Sequence, residues 1–371
     1  MMSARFLTVV LERAFNMRDG FGREIDYMRI SVIDSCNLNC YYCNPCDNNE
    51  HCHALNILSV KEVLCIVRAA TRLGIKHFRL TGGEPLLHPQ LDEMVLQIKK
   101  IPGVSSVSLT TNAVLLVQHA KWLKEAGIDS INVSLDTIDA SEYERITKKP
   151  LLEEVKHGIN AAIECGIRVK INVVLTPQTD VVALTRYVAK KGTDIRFIEM
   201  MPVGEGHTNG VEPYKKVIGT LSKLYGEPCR INTEKTKEIN SGNDKRKIPD
   251  NGPAEYYIFP ELGIRVGLIQ AIHGKFCATC NRIRVTADGR LMPCLGSSVT
   301  MDLVPDSCEF TDDLEKDFVI VQALKAAIKA KPGCHNFNDN AVTYTKTTET
   351  KTTEIEAAEV NAARNMSRIG G

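Results

Sequence analysis

"YMRISVIDSCNLNCYYC" runs from Tyr27 to Cys43, a β-rich heptapeptide leading directly into a CxxxCxxC made by Cys36, Cys40 and Cys43. Three thiols on one tight loop present themselves to a single point, one short of the four that close a structural zinc site or a fully ligated cluster. The loop continues through Cys46, His51, Cys52 and His53, so five of the thirteen cysteines fall within Asp34–His53. Disulfides, zinc and an iron-sulfur cluster are the simple uses for such a run. A disulfide framework belongs to small exported domains, and this chain of 371 residues is long enough to bury a core without staples. Its first apolar run, Phe6 to Leu11 with Thr8 inside it, is too short for a secretory signal. Four arginines against two acidic residues in the first twenty-three give a bias like that of a mitochondrial presequence. The expected compartment is therefore the cytoplasm, or the mitochondrial matrix for a eukaryotic source.

Outward from the loop, β-rich runs alternate with helical patterns. "YMRISVI" precedes the cysteines and "SVKEVLCIVRAATRLG"; "HFRLTGG" precedes "HPQLDEMVLQIKKI"; "SVSLTTN" precedes "LLVQHAKWLKEAG". "SINVSLD", "RVKINVVL" and "DIRFIEMMP" follow, with helical segments between them. Six βα repeats predict a parallel sheet, either open and doubly wound or curled toward a barrel. In a barrel, chemistry sits at the carboxyl ends of the strands, where the cysteine loop lies. Residues 1–205 form this unit. From 206 to 335 the pattern predicts a smaller lobe: a helix from about Tyr214 to Tyr225, short strands "YYIF", "IRVGLIQ", "NRIRVTAD" and "RLMPCL", then a helix near Leu314–Ala330. The Thr/Lys/Glu-rich stretch 336–365 reads as a flexible tether, and the chain ends "MSRIGG" over 366–371.

Composition narrows the partners. Net charge is +1, which argues against a nucleic-acid-binding surface, and any anionic ligand must be met by a local group of arginines. No run of about twenty apolar residues occurs, so no membrane-spanning helix is expected.

A second thiol set repeats the deficit of the first. "FCATCNRIRVTADGRLMPC" supplies Cys277, Cys280 and Cys294, again three. Spacing alone leaves structural zinc, completed by a histidine such as His273, and an iron-sulfur cluster equally open here, while the first set favours iron-sulfur. "GGEP", Gly82 to Pro85, ends the second β run. Its glycines would let a ligand approach the backbone, and Glu84 can accept from an amino group. Arg282 and Arg284 alternate with Ile283 and so share one strand face.

"DSCNLNCYYC" with "RLTGGEP" resembles the radical S-adenosylmethionine superfamily. "FCATCNRIRVTADGRLMPCL" with the terminal "MSRIGG" is similar to the GTP 3′,8-cyclase, or molybdenum cofactor biosynthesis protein A, family. The resemblance runs from Gly20 to about Leu295 and resumes at the last six residues. It implies an α/β fold, a partial (βα)6 TIM-like barrel closed by a smaller C-terminal α+β lobe, with two [4Fe-4S] clusters facing one another. Cys36, Cys40 and Cys43 would hold the cluster whose open iron chelates S-adenosyl-L-methionine. Cys277, Cys280 and Cys294 would hold the one whose open iron meets guanine. The implied reaction begins with reductive cleavage of S-adenosylmethionine to a 5′-deoxyadenosyl radical, which takes hydrogen from C3′ of GTP. The C3′ radical then adds to C8, giving 3′,8-cyclo-7,8-dihydro-GTP for a separate cyclic pyranopterin monophosphate synthase. A low-potential electron donor is implied, and a homodimer is compatible with the resemblance.

Residue by residue, the resemblance implies that Arg29, Arg282 and Arg284 grip the triphosphate, with Lys170 also on the substrate. His77 takes the place of a usual lysine there, and a contact made by it would be pH-sensitive. Tyr42, Gly82, Gly83, Glu84, Thr110, Asn112, Ser134, Arg196 and Met201 would surround S-adenosylmethionine. Gly370 and Gly371 would enter the cavity beside GTP. Asn44 departs from a usual methionine, and Cys46 and Cys52 are extra, best read as idle thiols. Two rival readings are a radical S-adenosylmethionine peptide maturase, which predicts more auxiliary cysteines, and a non-catalytic metal-binding scaffold.

Overall fold

The computed structural model describes residues 17–43, 56–203, 211–231, 252–297, 299–303, 313–335 and 337. Cys46, His51, Cys52, His53 and the terminal Gly370 and Gly371 lie outside the described residues, as does the 336–365 stretch apart from Phe337.

Six strands, β1 (Tyr27–Ser31), β2 (His77–Thr81), β3 (Ser106–Thr111), β4 (Ser130–Ser134), β5 (Val169–Val174) and β6 (Asp194–Ile198), pair in sequence order, all parallel. Parallel neighbours require crossovers. Five of the helices that follow β1 to β5 are α1 (Val60–Arg72), α2 (Leu91–Lys99), α3 (Leu116–Glu125), α4 (Ala140–Thr147) and α5 (Leu152–Glu164), and α6 (Val181–Lys190) leads into β6. Local chemistry starts several of them: Ser59 and Glu62 form a capping box on α1, and the Asp139 and Asp180 carboxylates cap α4 and α6.

The strands explain why the interior is a site rather than a plug of packed side chains. A parallel sheet buried in hydrocarbon on both faces reads as unbroken apolar runs. Here the apolar residues alternate. Met28 and Ile30, Phe78 and Leu80, Val107 and Leu109, Ile131 and Val133, Ile171 and Val173 are fully buried in one core with Val63, Val67, Met94, Leu123 and Ile159 of the helices. The positions between them, such as Arg29, Arg79, Thr110, Asn132 and Asn172, face the other way and line a cavity.

Among the described residues the C-terminal strands join the same sheet rather than making one of their own. Strands β7 (Cys229–Ile231), β8 (Glu255–Ile258) and β9 (Arg265–Ile269) extend the sheet beyond β6, while β10 (Arg282–Val285), β11 (Arg290–Met292) and β12 (Met301–Asp302) extend it beyond β1. Both β9 and β10 run parallel to their barrel neighbours, so eight consecutive parallel strands form a partial TIM-like barrel that stays open. The helix expected over 214–225 is a π-turn, Tyr214–Ile218, running into α7 (Gly219–Tyr225). Helix α8 (Asp313–Lys329) lies against α1, where Arg72 Nη2 meets the buried Asp317 carboxylate at 3.0 Å.

Candidate active site

A cavity of about 310 Å³ opens inside the curved sheet, and both three-cysteine sets border it. The first loop is tied down by its own backbone. Asn39 N–H donates to Thr147 O (3.0 Å), Tyr41 N–H to Ile146 O (3.1 Å) and Cys43 N–H to Cys40 O (2.9 Å). Burial, then the Glu84 carboxylate and the Cys43 thiol, push Cys36 up to about 12; burial and the neighbouring Asp136, Cys43 and Cys36 likewise raise Cys40. Thiols so placed stay protonated until a cation arrives to hold them as thiolates. Among the described residues no three His, Cys, Asp or Glu side chains converge as a single ion requires, with its thiolates all at about 2.3 Å. Three thiols from one loop, all at one cavity, are the donor set of a cluster that keeps one iron open.

The glycines of "GGEP" line the cavity and also leave room for the chain itself. A Cβ on Gly82 would stand 2.3 Å from Ile33 O, and one on Gly83 would stand 2.0 Å from Ser35 O. The cysteine loop's backbone packs closely against both glycines. Gly83 N–H donates to Ile33 O (2.7 Å) and Glu84 N–H to Ser35 O (2.8 Å), locking the two loops together. Glu84 itself is buried and accepts from Thr111 Oγ1 (2.6 Å), Asn112 N–H (2.7 Å) and Leu86 N–H (3.0 Å). Burial nonetheless raises its carboxyl to about 7.

Beyond these, Tyr42 donates to Asp136 Oδ2 (2.6 Å), whose other oxygen accepts from Val174 N–H (2.7 Å). Burial brings Asp136 to about 6 and raises Tyr42. Asn112 Nδ2 donates to Asn37 Oδ1 (2.7 Å) beside Cys36. Thr110 Oγ1 and Asn132 Oδ1, register partners on β3 and β4, are buried on the cavity wall with no hydrogen-bond partner among the described residues. Such orphaned groups are rare unless something else satisfies them. Ser134 and Met201 also line the cavity, as does Arg196, whose Nε donates to Asn172 Oδ1 (3.0 Å); Gly267 on β9 leaves room for its stem.

On the opposite side stand four guanidinium groups. Arg284, Arg29 and Arg79 are lateral neighbours across β10, β1 and β2, and Arg282 lies one pleat away over the Phe276 ring. Burial followed by mutual repulsion lowers Arg284 to about 10 and Arg29 well below its usual value. Burial alone would raise the Cys280 thiol, but Arg282 and Lys331 more than offset it and bring it to about 7. Like charges gathered out of water call for a polyanion.

Two expected contacts lie elsewhere. His77 begins β2, outside the cavity lining, with Nδ1 on Ser106 Oγ (2.8 Å) and its ring against Tyr27. Burial lowers its pKa, which disfavours the charged ring. Lys170 is buried one pleat below Asn172 and also lies outside the lining. Arg79, Asp136, Asn172 and Lys331, which do line it, escaped the sequence reading. For Arg79 the signal was present: "HFRLT" carries its arginine on the same alternation as "YMRIS".

Residues 30–183 match the family model of the Radical SAM superfamily, and 193–337 match that of Molybdenum Cofactor Synthesis C. The GTP 3′,8-cyclase of Clostridium perfringens (strain SM101) is 36% identical over 324 residues, 86% of this chain and 95% of that one. That of Listeria monocytogenes is 35% identical over 323 residues, 86% of this chain and 92% of that one. Among solved structures, Streptococcus suis SuiB bound to S-adenosylmethionine is alike in fold, with a TM-score of 0.55 at 14% identity over 82% of this chain and 68% of that one. The fold and the CxxxCxxC loop define a radical S-adenosylmethionine enzyme, a class that works with an iron-sulfur cluster and S-adenosylmethionine. The second match and the identity over nearly the whole length of the relatives narrow it: the chain belongs to the GTP 3′,8-cyclase family.

Proposed function

We propose that this chain converts GTP to (8S)-3′,8-cyclo-7,8-dihydroguanosine 5′-triphosphate, the first step of molybdenum cofactor biosynthesis. One observation carries the reading beyond the class: the second three-cysteine set and four guanidinium groups share one cavity with the first set. A peptide maturase has no use for four cations converging on one spot, and a scaffold has no use for a buried polar cavity between two thiol sets.

Cys36, Cys40 and Cys43 would hold the cluster that serves S-adenosylmethionine, and Cys277, Cys280 and Cys294 a second [4Fe-4S] cluster. When bound, cluster and S-adenosylmethionine supply the one-electron reductive cleavage and the hydrogen abstraction. The chain's own residues do the rest. Glu84 accepts from the methionyl ammonium, Thr110 and Asn132 offer polar atoms to the nucleoside, and the Tyr42–Asp136 pair fixes a ring beside it. Arg29, Arg79, Arg282 and Arg284 clamp the triphosphate, since guanidinium forks match phosphate oxygens. The concave wall of the sheet, with bound substrate filling the cavity, would keep bulk water from a reactive carbon centre. Gly370 and Gly371, in this reading, thread beside GTP and help position C3′. The product would pass to a cyclic pyranopterin monophosphate synthase, and the electron would come from a low-potential donor. Among the described residues no helix is long and apolar enough to cross a membrane.

The test is anaerobic reconstitution with iron and sulfide, followed by reduction in the presence of S-adenosylmethionine and GTP. GTP-dependent formation of the cyclised triphosphate together with 5′-deoxyadenosine is expected, and 5′-deoxyadenosine without a GTP-derived product would refute the substrate. Deleting Gly370 and Gly371 should lower product per 5′-deoxyadenosine while GTP affinity stays.

A further inference from the structure

Two buried cations grip the segment that carries the second three-cysteine set, and the reaction as read above uses neither. Lys331 follows α8 and is 3% exposed. Its Nζ donates to Arg282 O (2.8 Å) and to Pro293 O (2.9 Å). The first carbonyl opens β10, two residues after Cys280, and the second immediately precedes Cys294. One ammonium thus bridges the two strands of the hairpin that separate these cysteines. Arg23 reaches the same region from the N-terminal side: Nη1 donates to Cys277 O (2.7 Å) and Gly333 O (3.1 Å), and Nη2 to Pro332 O (2.6 Å).

The two differ in charge balance. Arg23 is paired with the buried Asp19 carboxylate at 2.5 Å. Lys331 instead faces the Cys280 and Cys294 thiols as its groups of opposite charge, with Nζ beside the Cys280 sulfur. A buried ammonium with no carboxylate beside it among the described residues is costly unless another anion compensates it. Ligated thiolates supply that anion, and an added electron makes the surroundings more negative still. Cations and hydrogen-bond donors near cluster sulfurs stabilise the reduced form and so raise its potential.

We propose that Lys331 is a positioning residue for the second cysteine set, pinning the hairpin between Cys280 and Cys294 and raising the reduction potential of the cluster held there. This rests on the reading that the second set holds a [4Fe-4S] cluster. Its consequence is functional, because the potential beside the substrate decides whether an electron can be taken up or returned at that end of the cavity.

The experiment compares full-length wild type, Lys331→Met and Lys331→Arg, each reconstituted anaerobically, by iron per chain and by EPR-monitored redox titration. Two midpoint potentials are expected in the wild type. Lys331→Met should keep its iron and shift one potential in the negative direction while the other stays, and Lys331→Arg should return the shifted one toward the wild-type value. Retained iron with both potentials unmoved in Lys331→Met overturns the proposal, as does an equal shift in both variants. If Lys331→Met cannot hold iron at the second set, Lys331→Arg decides: retention of the iron and the potential supports the role, and equal loss overturns it. A wild-type chain that takes up one cluster only defeats the underlying reading first, and the iron count reveals that separately.

Discussion

Glu84 shows how one side chain links folding to ligand chemistry. Three donors point at a carboxylate that burial holds at about 7, so near neutrality it is poised between its two forms. Only the ionised form attracts an ammonium. The sign follows: affinity for S-adenosylmethionine should level off above pH 7 and fall toward tenfold per pH unit below it. Calorimetry of the anaerobically reconstituted protein across that range checks this, and Glu84→Gln should bind weakly with a flat profile. The neighbouring Gly83 supports a different expectation. Because its hypothetical Cβ meets backbone at 2.0 Å rather than the end of a flexible side chain, the cysteine loop must move to admit Ala. Gly83→Ala should destabilise the metal-free protein by roughly 1–3 kcal/mol, the usual range for overpacking, and lower its iron content. Thermal unfolding and iron analysis measure the two effects, and wild-type values for both would return this position to free loop.

The loop after β1 and the β10–β11 hairpin are the elements that carry the thiols, and they should fail independently. Cys36→Ala should abolish 5′-deoxyadenosine formation, whereas Cys294→Ala should retain uncoupled cleavage of S-adenosylmethionine and lose the GTP-derived product. Single-turnover assays of both products separate the cases. The difference in legibility between these elements has physical causes. CxxxCxxC and CxxC are local, so five of the six thiols and the strands around them could be read from spacing, and Cys294 could be read from the hairpin that ends at it. The partner of Gly83 could not, because local sequence does not say whether a ligand or the chain's own backbone will occupy the space above a glycine. Lys331 was hidden for another reason: it is 49 residues from Arg282 and 38 from Pro293, and nothing near it signals the contact. His77 opens β2 and sits outside the cavity lining, a placement its motif could not show because strand depth is set by register across the sheet. The two strands that bring the parallel run to eight were expected as strands; their places at opposite edges of the sheet were not, since pairing over such sequence separations leaves no local trace.

Across the whole molecule, the chain returns to the barrel at both edges, and the β10 edge brings Arg282 and Arg284 beside Arg29 and Arg79. Without an anion this arrangement is self-repelling, and the lowered Arg29 and Arg284 values express that cost. Their sign is fixed: a cation whose folded pKa lies below its unfolded value weakens the fold while it is charged, which for Arg284 holds throughout the range below about 10. A triphosphate relieves the repulsion and binds only the folded state, so it should stabilise the protein by mass action, about 2.7 kcal/mol at one hundred times Kd. For a chain of this size that is a rise in Tm of roughly 3–4 °C. Phosphate count should set the order at equal concentration, GTP above GDP above GMP, with guanosine near zero, and the steps should shrink as salt is added to the partly exposed rim of the cluster. Arg79→Ala should reduce the GTP shift and leave the guanosine value unchanged, because it removes one guanidinium without touching a thiol set. The measurement is thermal unfolding at fixed nucleotide concentrations. Equal shifts for GTP and guanosine would mean that the base alone is recognised, and that the four arginines serve the fold rather than the phosphates.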